Sequence, residues 1–294
     1  AHDYGGGDIK EHLHCHVYHE GEGKKGANNV SSLIIKTLRD LNLLRNDEVG
    51  GELNIIFDNC SGQNKNNTVI KLAVWLSELG YFQKISFIFL VVGHTKNSAD
   101  RLFNSMKKEY RKHNIFTFED LVSKLGESDT VTIHQPNAND FLDYDKLLDG
   151  PYRKLAGHIK MNHIFTCDEM GDVMKLRQSN LLEHEETLVY LRKTHWKDVS
   201  QRELMEYAER VLTPIKCVGL NPYKMVEMWK NYRPVIPVEY QSDALYAKPS
   251  DEVLKKVKVE KEDRSEFRAK LKVKKYASKK GVESTAFDGE EDKA

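Results

Sequence analysis

Two apolar runs set the first constraint on this chain. Residues 53–57 and 85–92 are short, free of charge, and separated by a segment with helical periodicity. Within residues 65–79, Val69, Ile70, Ala73, Leu76 and Leu79 fall on one helical face, and Gly80 follows as a stop. A buried strand, a helix and a second buried strand in that order form a crossover unit. Its strands lie parallel, in a sheet covered on both faces.

The flanking segments extend this unit. Residues 12–19 alternate and read as a strand, and the three glycines between Asp3 and Asp8 read as a hairpin turn leading into it. Its incoming partner strand would lie mostly upstream of residue 1. A helix is expected at about 28–45, where Val30, Leu33, Ile34, Thr37, Leu38, Leu41 and Leu44 share a face and Asn28 or Asn29 can cap the start. Another is expected at about 98–113, burying Leu102, Phe103, Met106 and Tyr110.

Beyond residue 115 the pattern is weaker. Residues 117–120 can open a short helix, strand-like pieces fall at 130–134 and 157–166, and amphipathic helices at 200–211 and 221–231. The expected organisation is a core over 1–115, a companion mixed α/β subdomain over 116–247, and a charged tail over 248–294 that is helical and solvated or disordered.

Charge excludes little, since 45 Lys+Arg balance 45 Asp+Glu and any affinity for nucleic acid must come from local patches. The four cysteines form no CxxC pair, which argues against a disulfide scaffold or zinc ribbon. No stretch approaches the ~20 apolar residues of a membrane span. The chain opens without Met or a signal-peptide pattern, which reads as a cut fragment.

Two constellations carry chemistry. Asp58 stands where an apolar strand runs out and opens the polar run Asp58-Asn59-Cys60-Ser61-Gly62-Gln63-Asn64-Lys65-Asn66-Asn67. In open α/β sheets ligands bind beyond the carboxyl ends of strands, although an Asp at such a place is also a good helix N-cap. Asp100 follows the second strand through Gly93-His94-Thr95-Lys96-Asn97-Ser98-Ala99 and falls in the first turn of a helix, where it also suits the helix dipole. If the strands are neighbours, the two acids converge, and a hard divalent cation relieves their repulsion. His94 can act as an extra ligand or proton carrier, and Lys96 can meet a phosphate.

Other patterns weigh less. Gly21-Glu22-Gly23-Lys24-Lys25-Gly26 is a literal GxGxxG, but the acid at Asp58 comes 32 residues after Gly26 rather than about 20. His12, His14 and His16 share a strand face that could bind zinc, although exposed histidines are the commoner reading. The stretch from Arg268 to Lys275, with Lys279 and Lys280, is a basic patch suited to a phosphate backbone.

The segments 25–30 and 58–67, and Gly93-His94-Thr95-Lys96 with Asp100, resemble a widespread transposon-associated family of the ribonuclease-H-like superfamily. The likeness is specific over about residues 17–115. It implies a mixed sheet in which an antiparallel hairpin precedes parallel strands, flanked by helices. It further implies a nuclear DDE-type transposase or integrase core acting on DNA phosphodiesters with Mg²⁺ or Mn²⁺.

In that resemblance Asp58 matches the second acid of the triad and Asp100 the third, with His94 beside them. The first acid falls upstream of Ala1, and Asp3, Asp8 and Glu20 do not match it. Lys65, Lys96, Arg101, Lys274 and Lys275 are the expected DNA contacts. DNA and a second copy of the chain are the implied partners, with no membrane and no small-molecule cofactor. Metal binding is expected to be weak and the chain incomplete or inactive as an enzyme. The alternative is a non-catalytic nucleic-acid or protein interaction module derived from such an enzyme.

Overall fold

In the computed structural model the described residues are 13–45, 49–91, 98–127, 131–155, 157–168, 171–179, 181, 185–217 and 219–285. They fall into two compact units, residues 1–219 and 220–294. The first contains β1 (Leu13–His16), α1 (Ala27–Asp40), β2 (Gly50–Phe57), α2 (Asn67–Glu78), β3 (Phe82–Phe89), α3 (Ser98–Tyr110), α4 (Phe118–Leu125), β4 (Val131–His134), α5 (Tyr144–Asp149), β5 (Ile164–Asp168), β6 (Val173–Arg177), β7 (Thr187–Tyr190) and α6 (Gln201–Val211). The second contains α7 (Pro222–Glu227), a π-helical turn at Met228–Tyr232, short 3-10 turns, and α8 (Asp251–Thr285).

The main sheet is mixed, in the order β2-β3-β5-β6-β7. Strands β2 and β3 are parallel and joined through α2, as the apolar runs predict. From β3 to β7 every pairing is antiparallel. The chain is therefore α/β, with parallel and antiparallel strands and flanking helices.

Several expectations change. The antiparallel strands follow the parallel pair in sequence instead of preceding it. The expected turn at 3–8 lies outside the described residues, and the described partner of β1 is β4, paired in parallel in a separate two-stranded ladder. The boundary expected at 115 falls inside one unit, because β5 and β6 turn Phe165, Cys167, Met174 and Leu176 into the core formed by Ile85, Phe87 and Phe89. Residues 220–247 group with the charged helix α8 instead.

Nor does β2 have both faces covered. Phe57 is buried and Leu53 and Ile55 are half-buried, whereas Glu52, Asn54 and Ile56 on the alternate positions are exposed, Ile56 by 56%. The same face continues with a Lys84–Glu52 ion pair at 3.1 Å, a Ser86–Thr166 hydroxyl contact at 3.1 Å and a Lys175–Asp168 ion pair at 2.6 Å. One face of β2 thus follows the alternation of a half-covered sheet.

The core lies on the other face, where α2 packs on β3, β5, α1 and α5. Every residue of α2 from Thr68 to Glu78 is buried. The helix ends in a Schellman turn, with Gly80 at φ +73° and the amides of Gly80 and Tyr81 bonded to the carbonyls of Ser77 and Leu76. That is the stop the sequence places there.

Candidate functional site

The site begins where β2 ends. Phe57 is buried and stacks on Phe89 with ring centroids 5.0 Å apart, while the next residue, Asp58, is exposed. Register pairs Phe57 with Phe89, and the Leu90 amide bonds the Phe57 carbonyl at 2.9 Å, so β2 and β3 finish side by side. Asp100 lies in the first turn of α3, the next described element after β3, and is exposed. In chain order each acid thus follows one of two neighbouring parallel strands, Asp58 directly after β2 and Asp100 eleven residues after Phe89 in a helix that packs against α4 and β1. His94 and Lys96, which lie between the two acids in sequence, lie outside the described residues.

The polar run is a tightly bonded loop. The Cys60 carbonyl accepts from the amides of Gln63, Asn64 and Lys65 at 3.2, 2.8 and 3.0 Å. Asn64 donates its side-chain amide to the Asp58 carboxylate. Asn66 caps α2, accepting from the Val69 amide at 3.0 Å, so the N-cap role open to Asp58 on sequence belongs to Asn66. Asn67 accepts from the Leu155 amide at 2.8 Å, and the Thr68 hydroxyl donates to Asp145 at 2.6 Å, tying the start of α2 to α5 and the chain beyond it.

Of the expected DNA contacts, one is buried. Lys65 is 5% exposed, with its ammonium bonded to the Lys160 carbonyl at 3.4 Å and 5.9 Å from the Phe89 ring centroid. Burial lowers its pKa. It belongs to the interior of the fold and does not face a phosphate. Arg101 is exposed beside Asp100 in α3. Lys274 and Lys275 lie on the backbone of α8, in the second unit.

Among the described residues no group of three or more His, Cys, Asp or Glu side chains is disposed to hold a metal ion. The histidine strand has gained a member that spacing does not reveal. His14 Nδ1 lies 2.9 Å from His134 Nε2, and the His16 and His134 rings stack at 4.8 Å. His16 Nε2 bonds the Thr37 hydroxyl at 2.8 Å, and burial, reinforced by His134, lowers its pKa to about 4. His12 lies outside the described residues.

A family described as "Domain of unknown function (DUF7869)" matches residues 9–181. That span is more than half of the chain. The chain belongs to the DUF7869 family. The DUF7869 span takes in β1 to β6 and both Asp58 and Asp100, and leaves β7, α6 and the second unit outside. No curated protein and no solved structure matches the chain.

Proposed function

We propose that this DUF7869 protein descends from a DDE-type transposase or integrase and engages DNA phosphodiesters in the nucleus, with Asp58 and Asp100 providing two of the carboxylates for a divalent cation. One observation carries the reading: Asp58 is exposed directly past the carboxyl end of β2, beside the parallel β3, and Asp100, also exposed, stands in the first turn of the next described helix after β3. The β2-α2-β3 crossover supports the finer assignment of a ribonuclease-H-like core. Carboxylate oxygens suit Mg²⁺ or Mn²⁺. A cation bound there would act as a Lewis acid on a phosphoryl oxygen. The protein's own part is to hold Asp58 at the end of β2 and to present Asp100 from the first turn of α3.

A second reading, a non-catalytic interaction module of the same descent, draws on how much of the polar run serves the fold. Asn66 caps, Asn67 and Thr68 tie elements together, Lys65 is buried, and Asp58 already accepts from Asn64.

Mn²⁺ titration followed by electron paramagnetic resonance tests the first reading. Two carboxylates are expected to give a site no tighter than about 1 mM, lost in both Asp58→Asn and Asp100→Asn. Retention of Mn²⁺ binding by both variants would refute it. Cation-independent DNA binding that both variants preserve, with no Mn²⁺ site in the wild type, would favour the interaction module.

A further inference from the structure

We infer that one face of α8 is a binding surface for the phosphate backbone of nucleic acid, built on Lys261, Arg264 and Arg268 and sharing no residue with the Asp58 and Asp100 proposal. The partner is the one the proposed function implies, but this surface stands whether or not those acids hold a cation.

Three cations at i, i+3 and i+7 share one side of an α-helix. All three are exposed, and with Tyr223 of α7 and Ser265 they line a cleft of about 460 Å³ in the second unit. Tyr223 is fixed by donating its hydroxyl to Glu260. The Arg264 guanidinium carbon lies 4.7 Å from the centroid of its ring. A guanidinium over an aromatic face keeps N–H donors for an anion, and the stacking reduces the freedom it would lose on binding.

By the 3.6-residue repeat Glu262, Asp263 and Glu266 fall on the opposite side, interspersed with Lys255, Lys256 and Lys270, while the stripe of Lys261, Arg264 and Arg268 is flanked by Glu260, the acceptor of the Tyr223 hydroxyl. The helical backbone continues to Thr285, and at the same spacing the sequence places Lys272, Lys275 and Lys279 in line with Lys261, Arg264 and Arg268. At ~1.5 Å per residue the line from 261 to 279 is about 27 Å long. Phosphates of one strand recur every ~3.4 Å of duplex axis, so such a line can follow a backbone.

The repeat also divides the basic patch seen in the sequence. Position 275 falls in the stripe, but position 274 falls eleven residues beyond Asp263, on the opposite side, where the charge is mixed. A membrane surface fits less well, because a lipid-binding helix sets a broad apolar face against its basic one. Here the face opposite the cations carries carboxylates and lysines and not a broad apolar surface.

Fluorescence anisotropy with the full chain and a labelled 20-base-pair duplex of arbitrary sequence tests the assignment. Two triple variants of equal charge change are compared: Lys261→Gln/Arg264→Gln/Arg268→Gln on the stripe, and Lys255→Gln/Lys256→Gln/Lys274→Gln off it. Each phosphate contact contributes about 0.9 to the slope of log K against log salt, so the stripe variant is expected to lose about 2.7 from that slope and the other variant almost nothing. Between 50 and 200 mM salt the stripe variant's affinity should then fall roughly 40-fold less than the wild type's. Equal effects of the two triples, an unchanged slope in the stripe variant, or no duplex binding by the wild type at 50 mM salt would each overturn the surface. So would tighter binding to phosphatidylserine vesicles than to the duplex. Asp58→Asn enters neither arm, so failure here leaves the cation reading to its own test.

Discussion

Glu78 offers the sharpest test of how the first unit is held together. It sits at the end of α2, 7% exposed, accepting from the Tyr152 hydroxyl and 3.2 Å from Arg192 Nε. Tyr152 follows α5 and Arg192 follows β7, so one carboxylate joins three parts of the chain. Burial raises the pKa of Glu78, and the Tyr152 hydrogen bond and Arg192 oppose it only in part. Tyr152, 1% exposed, is itself pushed well above its ordinary value, chiefly by burial and then by Glu78, so the hydroxyl keeps its proton and donates.

The sign of the pH dependence follows. A carboxyl whose folded pKa is raised holds more protons folded than unfolded. Its contribution to stability is therefore complete below the ordinary glutamate range and is lost as pH rises through the raised value. Glu78→Gln has no such titration, so the stability of wild type minus that of Glu78→Gln should fall across that window. Tyr152→Phe removes a hydrogen bond to a group that becomes charged, worth about 1.5–3 kcal/mol. The Phe loss should grow with pH, because the hydroxyl favours the ionised carboxylate. With a urea slope of about 2–3 kcal/mol/M, a 2 kcal/mol loss moves the midpoint by roughly 0.7–1 M. Urea unfolding from pH 5 to 8, followed by Trp75 and Trp196 fluorescence, gives both quantities. A wild-type advantage over Glu78→Gln that rises with pH, or a Phe penalty below about 0.5 kcal/mol at every pH, would refute the account.

Two further outcomes are expected. Because His16 has its pKa lowered to about 4, its ring resonances should stay constant from pH 8 to 5.5, and its depressed value should cost stability as pH falls from the ordinary histidine range toward 4; a nuclear magnetic resonance titration midpoint near 6.5 would contradict its burial. Lys65→Met keeps the buried stem and removes only the ammonium, so duplex affinity and its salt slope should match wild type in the anisotropy assay. A slope reduced by about 0.9 would instead place Lys65 on a phosphate.

What was legible in the sequence was local. The β2-α2-β3 unit follows from two apolar runs and one strong helical period, and Gly80 and the first turn of α3 lie where local chemistry puts them. The helix expected at 28–45 stops at Asp40, because Asn42 adopts φ +53° and Leu43 and Leu44 leave the helix to pack against the core. Strands β5 to β7 were largely illegible. They are four or five residues long, mix Thr, Lys, Asp and Arg with apolar residues, and join the sheet through β5, which pairs with β3 some 80 residues away in sequence. The β1–β4 ladder pairs residues even further apart, Leu13 with Val131. For the site, the position of Asp58 at the end of β2 and of Asp100 in the first turn of a helix could be read, but the burial of Lys65 could not, since Phe89 and the Lys160 carbonyl decide it.

The loop that starts at Asp58 gives the strongest link between fold and chemistry. A solvated helix cap was the plainest alternative for that acid, and Asn66 fills the cap instead, eight residues later. The intervening turn is closed on the Cys60 carbonyl, and Asn67 and Thr68 fasten its far end to other parts of the unit. Asp58 is thus fixed at one end by the buried, stacked Phe57 and at the other by a loop whose end is anchored, while its own side chain stays in solvent. Holding a polar group at a fixed place without burying it is what a metal- or phosphate-binding position requires, because preorganisation lowers the cost of assembling ligands. Asp100 differs: its place in the first turn of α3 is also explained by the helix dipole. Asp58→Asn should therefore leave unfolding stability nearly unchanged while abolishing Mn²⁺ binding at the proposed site. The separation of those two effects at Asp58, more than the presence of two acids, is what sets a functional carboxylate apart from a structural one.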